Sequence, residues 1–197
     1  MKKLLTTLTV VMAMLVVLTS CAKQPAQEMT DTKASIDAVI ATGGDKYANE
    51  EVKQLNDQLT AALDEVKVQD GKFFKNYDKA KEMLAKVKSS AETLNAEIPA
   101  RIEKAKTDAI AALDAAKIAV ADATALLAKA PRGKGSKADL EAMKADLAGL
   151  DAAIVEAQGM IDGQDYLGAL DKANGIKDKA AQVSTQVTEA MAKKAGK

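Results

Sequence analysis

The chain has 197 residues, with 28 basic and 28 acidic side chains, no histidine, no tryptophan and one cysteine, Cys21. Without histidine, and with a single thiol, Ser-His-Asp and Cys-His catalysis in their usual forms are ruled out. Zinc, haem and copper sites lose their commonest ligands, and the balanced charge provides no basic footprint for nucleic acid.

The chain opens with Met1-Lys2-Lys3 and then runs apolar from Leu4 to Leu18, relieved only by threonines. Two lysines, an apolar stretch of roughly fifteen residues and small residues at its end make a secretory signal pattern over residues 1–20. The stretch is short for a membrane span, which takes about 20 apolar residues. Leu18-Thr19-Ser20-Cys21 resembles the lipobox of bacterial lipoproteins, where an aliphatic residue and two small ones precede an obligatory cysteine. That resemblance implies diacylglycerol on Cys21, cleavage before it, and acylation of the new amino group. Two or three acyl chains hold a protein stably on a membrane, whereas one is marginal. Cys21 is followed by Ala22 rather than aspartate, which implies the outer membrane. Removing residues 1–20 takes Lys2 and Lys3 and no acid, so the mature chain carries two more acids than bases.

Residues 21–30 read as a lipidated, flexible tether: "AKQPAQEMT" has no periodicity and contains Pro25. From Asp31 the pattern is helical almost throughout. A short first helix is expected from about Thr32 to Ala41, ending at Gly43-Gly44, and a second from about Asn49 to Gly71. Val52, Leu55, Leu59, Ala62 and Val66 step along the second by threes and fours. Tyr77, Ala80, Leu84, Val87, Ala91, Leu94 and Ile98 make the next seam. Pro99 is expected to interrupt or kink the helix at Ile98, because proline removes a donor and clashes with the preceding turn.

Between Ala105 and Ala130, twelve of the 26 residues are alanine. Ile102, Leu113, Val120 and Leu127 share a face with Ala109, Ala116 and Ala123, a stripe that allows close approach but buries little area. "APRGKGSK" is a loop, and Ser136 three residues before Asp139 starts the next helix like a capping box. Leu140, Met143, Leu147, Leu150, Ile154, Ala157 and Ile161 form one seam before Gly163. Tyr166, Ala169, Ala173, Ile176, Ala180, Val183, Val187 and Ala190 form another after it. Such narrow stripes describe amphipathic helices packed side by side. Tyr77 and Ala80 correspond to Tyr166 and Ala169, so the chain carries a weak internal repeat in which a tyrosine packs back across each turn.

The expected fold is all-α: an elongated, coiled-coil-like antiparallel bundle over 31–197, with hairpins 31–98 and 137–194. A connecting helix 100–130 and a loop 131–136 join them. "KYANEEVKQL", "YDKA" and "DYLGA" resemble a family of bacterial lipoproteins built on an uncharacterised helical domain, with Tyr-Ala-Pro-Glu-Glu-Leu-like and Gly-Asp-Tyr-x-x-Ala helix starts. The latter start also resembles the second helix of a tetratricopeptide unit. Asn49 stands where the family often has proline, and Lys75-Asn76 and Gln164-Asp165 stand in place of Gly-Asp. The resemblance implies a helical fold and the cell envelope, and carries over no activity.

Other features read structurally. Met29, Met83, Met143, Met160 and Met191 are scattered and serve packing. "DGQD" from Asp162 to Asp165 is a turn and helix start, lacking the alternating oxygen ligands of a calcium loop. "GKGS" lacks the earlier glycine and the preceding strand of a phosphate loop. Phe73 and Phe74 are expected to plug the end of the first hairpin, the other reading being an exposed anchor for a partner or lipid. The terminal Lys197 resembles that of the major outer-membrane lipoproteins, which are joined to peptidoglycan through a final lysine. The expected function is a non-enzymatic, lipid-anchored scaffold or adaptor that meets envelope proteins through helix–helix contacts. It needs no cofactor, does not bind nucleic acid, and its seams are compatible with self-association. The alternative is a module holding an apolar ligand or lipid between its helices, with the alanine-rich stretch and Gly149, Gly159 and Gly175 leaving room.

Overall fold

In the computed structural model, residues 23–130 and 137–195 are described, and every regular element among them is a helix. In chain order these are α1 (Ala26–Ala41), α2 (Gly44–Tyr47), α3 (Asn49–Asp70), α4 (Asp78–Ala128), α5 (Lys137–Asp162) and α6 (Tyr166–Ala195). The all-α expectation holds. The chain divides into two compact units at Pro99 and Ala100.

The first unit packs α1, α3 and residues 78–99 of α4. Its first helix starts at Ala26, six residues before the expected Thr32, and takes in the second half of the stretch read as a tether. Pro25 has no N–H to lose at a helix start; its side chain is fully buried, and its carbonyl accepts the Met29 N–H at 3.0 Å. The seam of α1 is Met29, Thr32, Ile36 and Val39, with the last three buried. A polar member hid that seam from a reading of apolar spacing. The Thr32 hydroxyl lies 2.7 Å from Glu28 O on its own turn and 3.3 Å from Leu84 O on α4, so its one proton is never without an acceptor.

The end of α1 needs glycine. Gly43 takes φ 104°, open to glycine at no steric cost. A Cβ on Gly44 would stand 2.7 Å from the Val39 carbonyl oxygen. The single turn of α2 that follows gave no sequence signal. All five seam residues of α3 are buried.

Pro99 does not break the chain's longest helix. α4 runs 51 residues through it, correcting the expected interruption at Ile98. A proline inside a helix costs about 3 kcal/mol, but here its ring is on the exposed face. The seam continues beneath it: Leu94 and Ile98 are buried before the proline, Ala105 and Ala109 after it. Burial on both sides outweighs one missing hydrogen bond.

The second unit takes residues 100–128 of α4 with α5 and α6. Leu113, Ala116, Val120 and Ala123 pack in one cluster with Met143, Leu147 and Leu150 of α5 and Ile176, Val183 and Val187 of α6. The alanine-rich stretch, read as a connector, is therefore a wall of this core. Its alanines offer little area, so leucine, isoleucine and valine from the other helices fill the space. At the turn, Gln164 takes the left-handed conformation, φ 63°. The Asp165 N–H reaches back to Met160 O at 2.8 Å, closing the end of α5 as a Schellman turn does. Lys172 pairs with Glu156 across this turn.

The internal repeat extends well beyond the tyrosines. Tyr77, Ala80, Leu84, Val87, Ala91, Leu94 and Ile98 match Tyr166, Ala169, Ala173, Ile176, Ala180, Val183 and Val187 step for step, and all fourteen are buried.

Candidate functional site

Neither residue proposed from the sequence to carry chemistry, Cys21 or Lys197, lies among the described residues, and neither do the signal 1–20 or the "GKGS" stretch. The connection between α3 and α4 spans residues 71–77. Here the sequence expectation is overturned: Phe73 and Phe74 do not plug the unit but are 93% and 86% exposed. Their rings meet edge to face with centroids 5.0 Å apart, the geometry aromatic quadrupoles favour.

The plug is Tyr77. It is 3% exposed and packs with Val66, Ala80 and Met29. Once that ring fills the end of the core, no seat is left for a second aromatic. The Tyr77 hydroxyl donates to Asp70 Oδ1 at 2.5 Å. That bond, aided by burial, pushes the phenol from its ordinary 10.0 up to about 12. Asp70 also accepts from Gln24 Nε2 on Oδ2 at 2.9 Å and has Lys75 Nζ at 4.0 Å. One carboxylate thus ties together the last turn of α3, the first residue of the seam in front of α4, and the chain entering α1.

Other bonds hold the shoulders of the loop. The Asn76 side chain accepts the Asp78 N–H at 2.8 Å, capping α4. Buried Gln69 donates to Glu65 Oε1 at 2.8 Å and accepts the Asn76 N–H at 3.4 Å. Lys79 Nζ sits 2.8 Å from Glu65 Oε2, and chiefly that contact lowers the Glu65 carboxyl below its ordinary value. The ends of the loop are fixed, while its aromatic tip touches solvent between Lys72 and Lys75.

Elsewhere, Met29, Met143 and Met191 pack against the cores as expected. Gly149, Gly159 and Gly175 lie on exposed helix faces, and a Cβ on any of them meets nothing within 4 Å. The room these glycines leave is therefore outside the helices, which withdraws one of the two features that suggested an internal ligand. Among the described residues no group of three or more Asp, Glu, His or Cys gathers as metal ligands, and no helix is long and apolar enough to cross a membrane.

No family model, curated protein or solved structure matches the chain. The likeness to helical-domain lipoproteins rests on the quoted motifs alone.

Sequence reasoning missed the Asp70 junction. An acid seven residues before a helix-initiating tyrosine was a usable signal for half of it. Nothing in the sequence pointed to Gln24, because its bond depends on where α1 docks.

Proposed function

We propose that this is a lipid-anchored protein of the bacterial cell envelope, held through Cys21 to the outer membrane on its periplasmic side, and that it serves as a non-enzymatic scaffold or adaptor. The observation that carries the reading is Leu18-Thr19-Ser20-Cys21 at the end of a secretory signal. Helical units with apolar residues left on their outer faces support the scaffold role. In the second unit Ile118 of α4 and Val155 of α5 stand exposed among small and polar neighbours, where a partner helix could bury them.

Labelled palmitate is expected to reach the wild-type protein and not Cys21→Ser. Photo-crosslinking residues at Ile118 and Val155 should capture discrete envelope partners in cells. A tightly retained apolar small molecule after gentle extraction, with no crosslinked partner, would replace the scaffold reading with that of a carrier.

A further inference from the structure

Two adjacent phenylalanines at a loop tip, both almost fully in water, have no packing role in the fold. Their immediate neighbours Lys72 and Lys75 are cationic. The sequence Lys-Phe-Phe-Lys on a fixed loop combines apolar rings that gain by leaving water with long cationic stems that reach headgroup phosphates.

Where the loop stands decides its occupant. Gln24 is hydrogen-bonded to Asp70 at the base of this loop. Gln24 lies only three positions after Cys21, a reach of ~11 Å at most. Phe73 is likewise three residues beyond Asp70. An acylated Cys21 and the aromatic tip are therefore confined to the same end of the first unit.

Resting on the lipoprotein reading, we infer that Phe73 and Phe74 insert into the headgroup region of the bilayer that holds Cys21, with Lys72 and Lys75 on lipid phosphates. Acyl chains alone leave a protein free to swivel about its anchor. A second contact at the same end of the unit stands it on its α3–α4 end.

The chain has no tryptophan, so Phe73→Trp introduces a single indole, excited selectively at wavelengths where tyrosine does not absorb. The full protein, purified from its membrane, is reconstituted into vesicles of phosphatidylethanolamine and phosphatidylglycerol with or without brominated acyl chains. Mass of the Cys21 peptide is read on the same sample. The control is Ile40→Trp, exposed on the last turn of α1 and about 20 Å along that helix from its start. The expected result is a blue-shifted Phe73→Trp emission quenched by bromolipid, with Ile40→Trp unquenched. Adding Lys72→Gln should lower the inserted-to-free ratio about fivefold at low salt. An acylated protein whose Phe73→Trp emission stays water-like overturns the inference and leaves the lipoprotein reading standing. A blue shift without bromolipid quenching also overturns it, since a protein surface then covers the rings. Quenching without acylation keeps the loop on the membrane and removes the anchor; neither signal removes both.

Discussion

The two places where a helix hands over to a tyrosine-led helix solve the same packing problem with different connections. Tyr77 and Tyr166 both enter their cores at the start of a seam, and the seams behind them match position for position. Between α5 and α6 three residues suffice, with Gln164 in a left-handed turn. Between α3 and α4 there are seven, and the extra length carries Phe73 and Phe74 into solvent. Because the shorter connection shows that the tyrosine seat can be closed without such a tip, the added residues in the first point outward to a task other than packing.

The largest effect should come from exchanging the one matched pair that differs most in size. Leu84 and Ala173 are both fully buried at equivalent positions. Leu84→Ala leaves a cavity and should cost about 2–5 kcal/mol. Ala173→Leu overpacks the alanine-lined core and should cost about 1–3 kcal/mol. Urea unfolding followed by circular dichroism measures both, and tolerance of either change would mean that the two seams are interchangeable.

The Tyr77–Asp70 bond comes next. Because the folded state holds the phenolic proton more tightly than the unfolded chain, stability from this group is complete below pH ~10 and falls as pH rises toward about 12. Wild type minus Tyr77→Phe, compared by urea midpoint across that window, should show a difference that shrinks with rising pH. A constant difference would place the effect of the hydroxyl outside its titration.

Gln164→Gly should stabilise the second unit by about 0.5–1 kcal/mol, since glycine takes the left-handed conformation without a Cβ clash. An unchanged melting midpoint would show that side-chain contacts of Gln164 offset its backbone strain. The smallest effect is expected at the loop tip. Phe73→Ser with Phe74→Ser should leave the unfolding free energy within about 0.5 kcal/mol of wild type. A loss of about 3 kcal/mol or more, the size expected for a buried phenylalanine, would restore the plug and remove the membrane inference.

Much of the architecture was legible. The seam residues from Val52 to Val66, from Tyr77 to Ile98 and from Tyr166 to Val187 are buried, because a 3.6-residue period tolerates few ways of hiding an apolar stripe. The starts of α3 and α6 were legible for the same reason. Three things were not. The true start of α1 depended on a threonine whose hydroxyl finds a carbonyl on another helix. Passage through Pro99 depended on the ring facing water while burial continued beneath it. The exposure of Phe73 and Phe74 depended on Tyr77 having already filled the end of the core.

Local patterning by itself determined that this chain is helical, which faces turn inward, and where glycines end the helices, since propensity and periodicity act over a few residues. The lipobox-like stretch Leu18-Thr19-Ser20-Cys21, on which the proposed anchor rests, is local in the same sense. Tertiary structure alone decided that the alanine-rich stretch is a wall of a core and that Gln24 meets Asp70 beside the aromatic tip. Those facts depend on which surfaces are already occupied when distant segments meet, and competition for a buried seat has no signature in the spacing of residues along the chain.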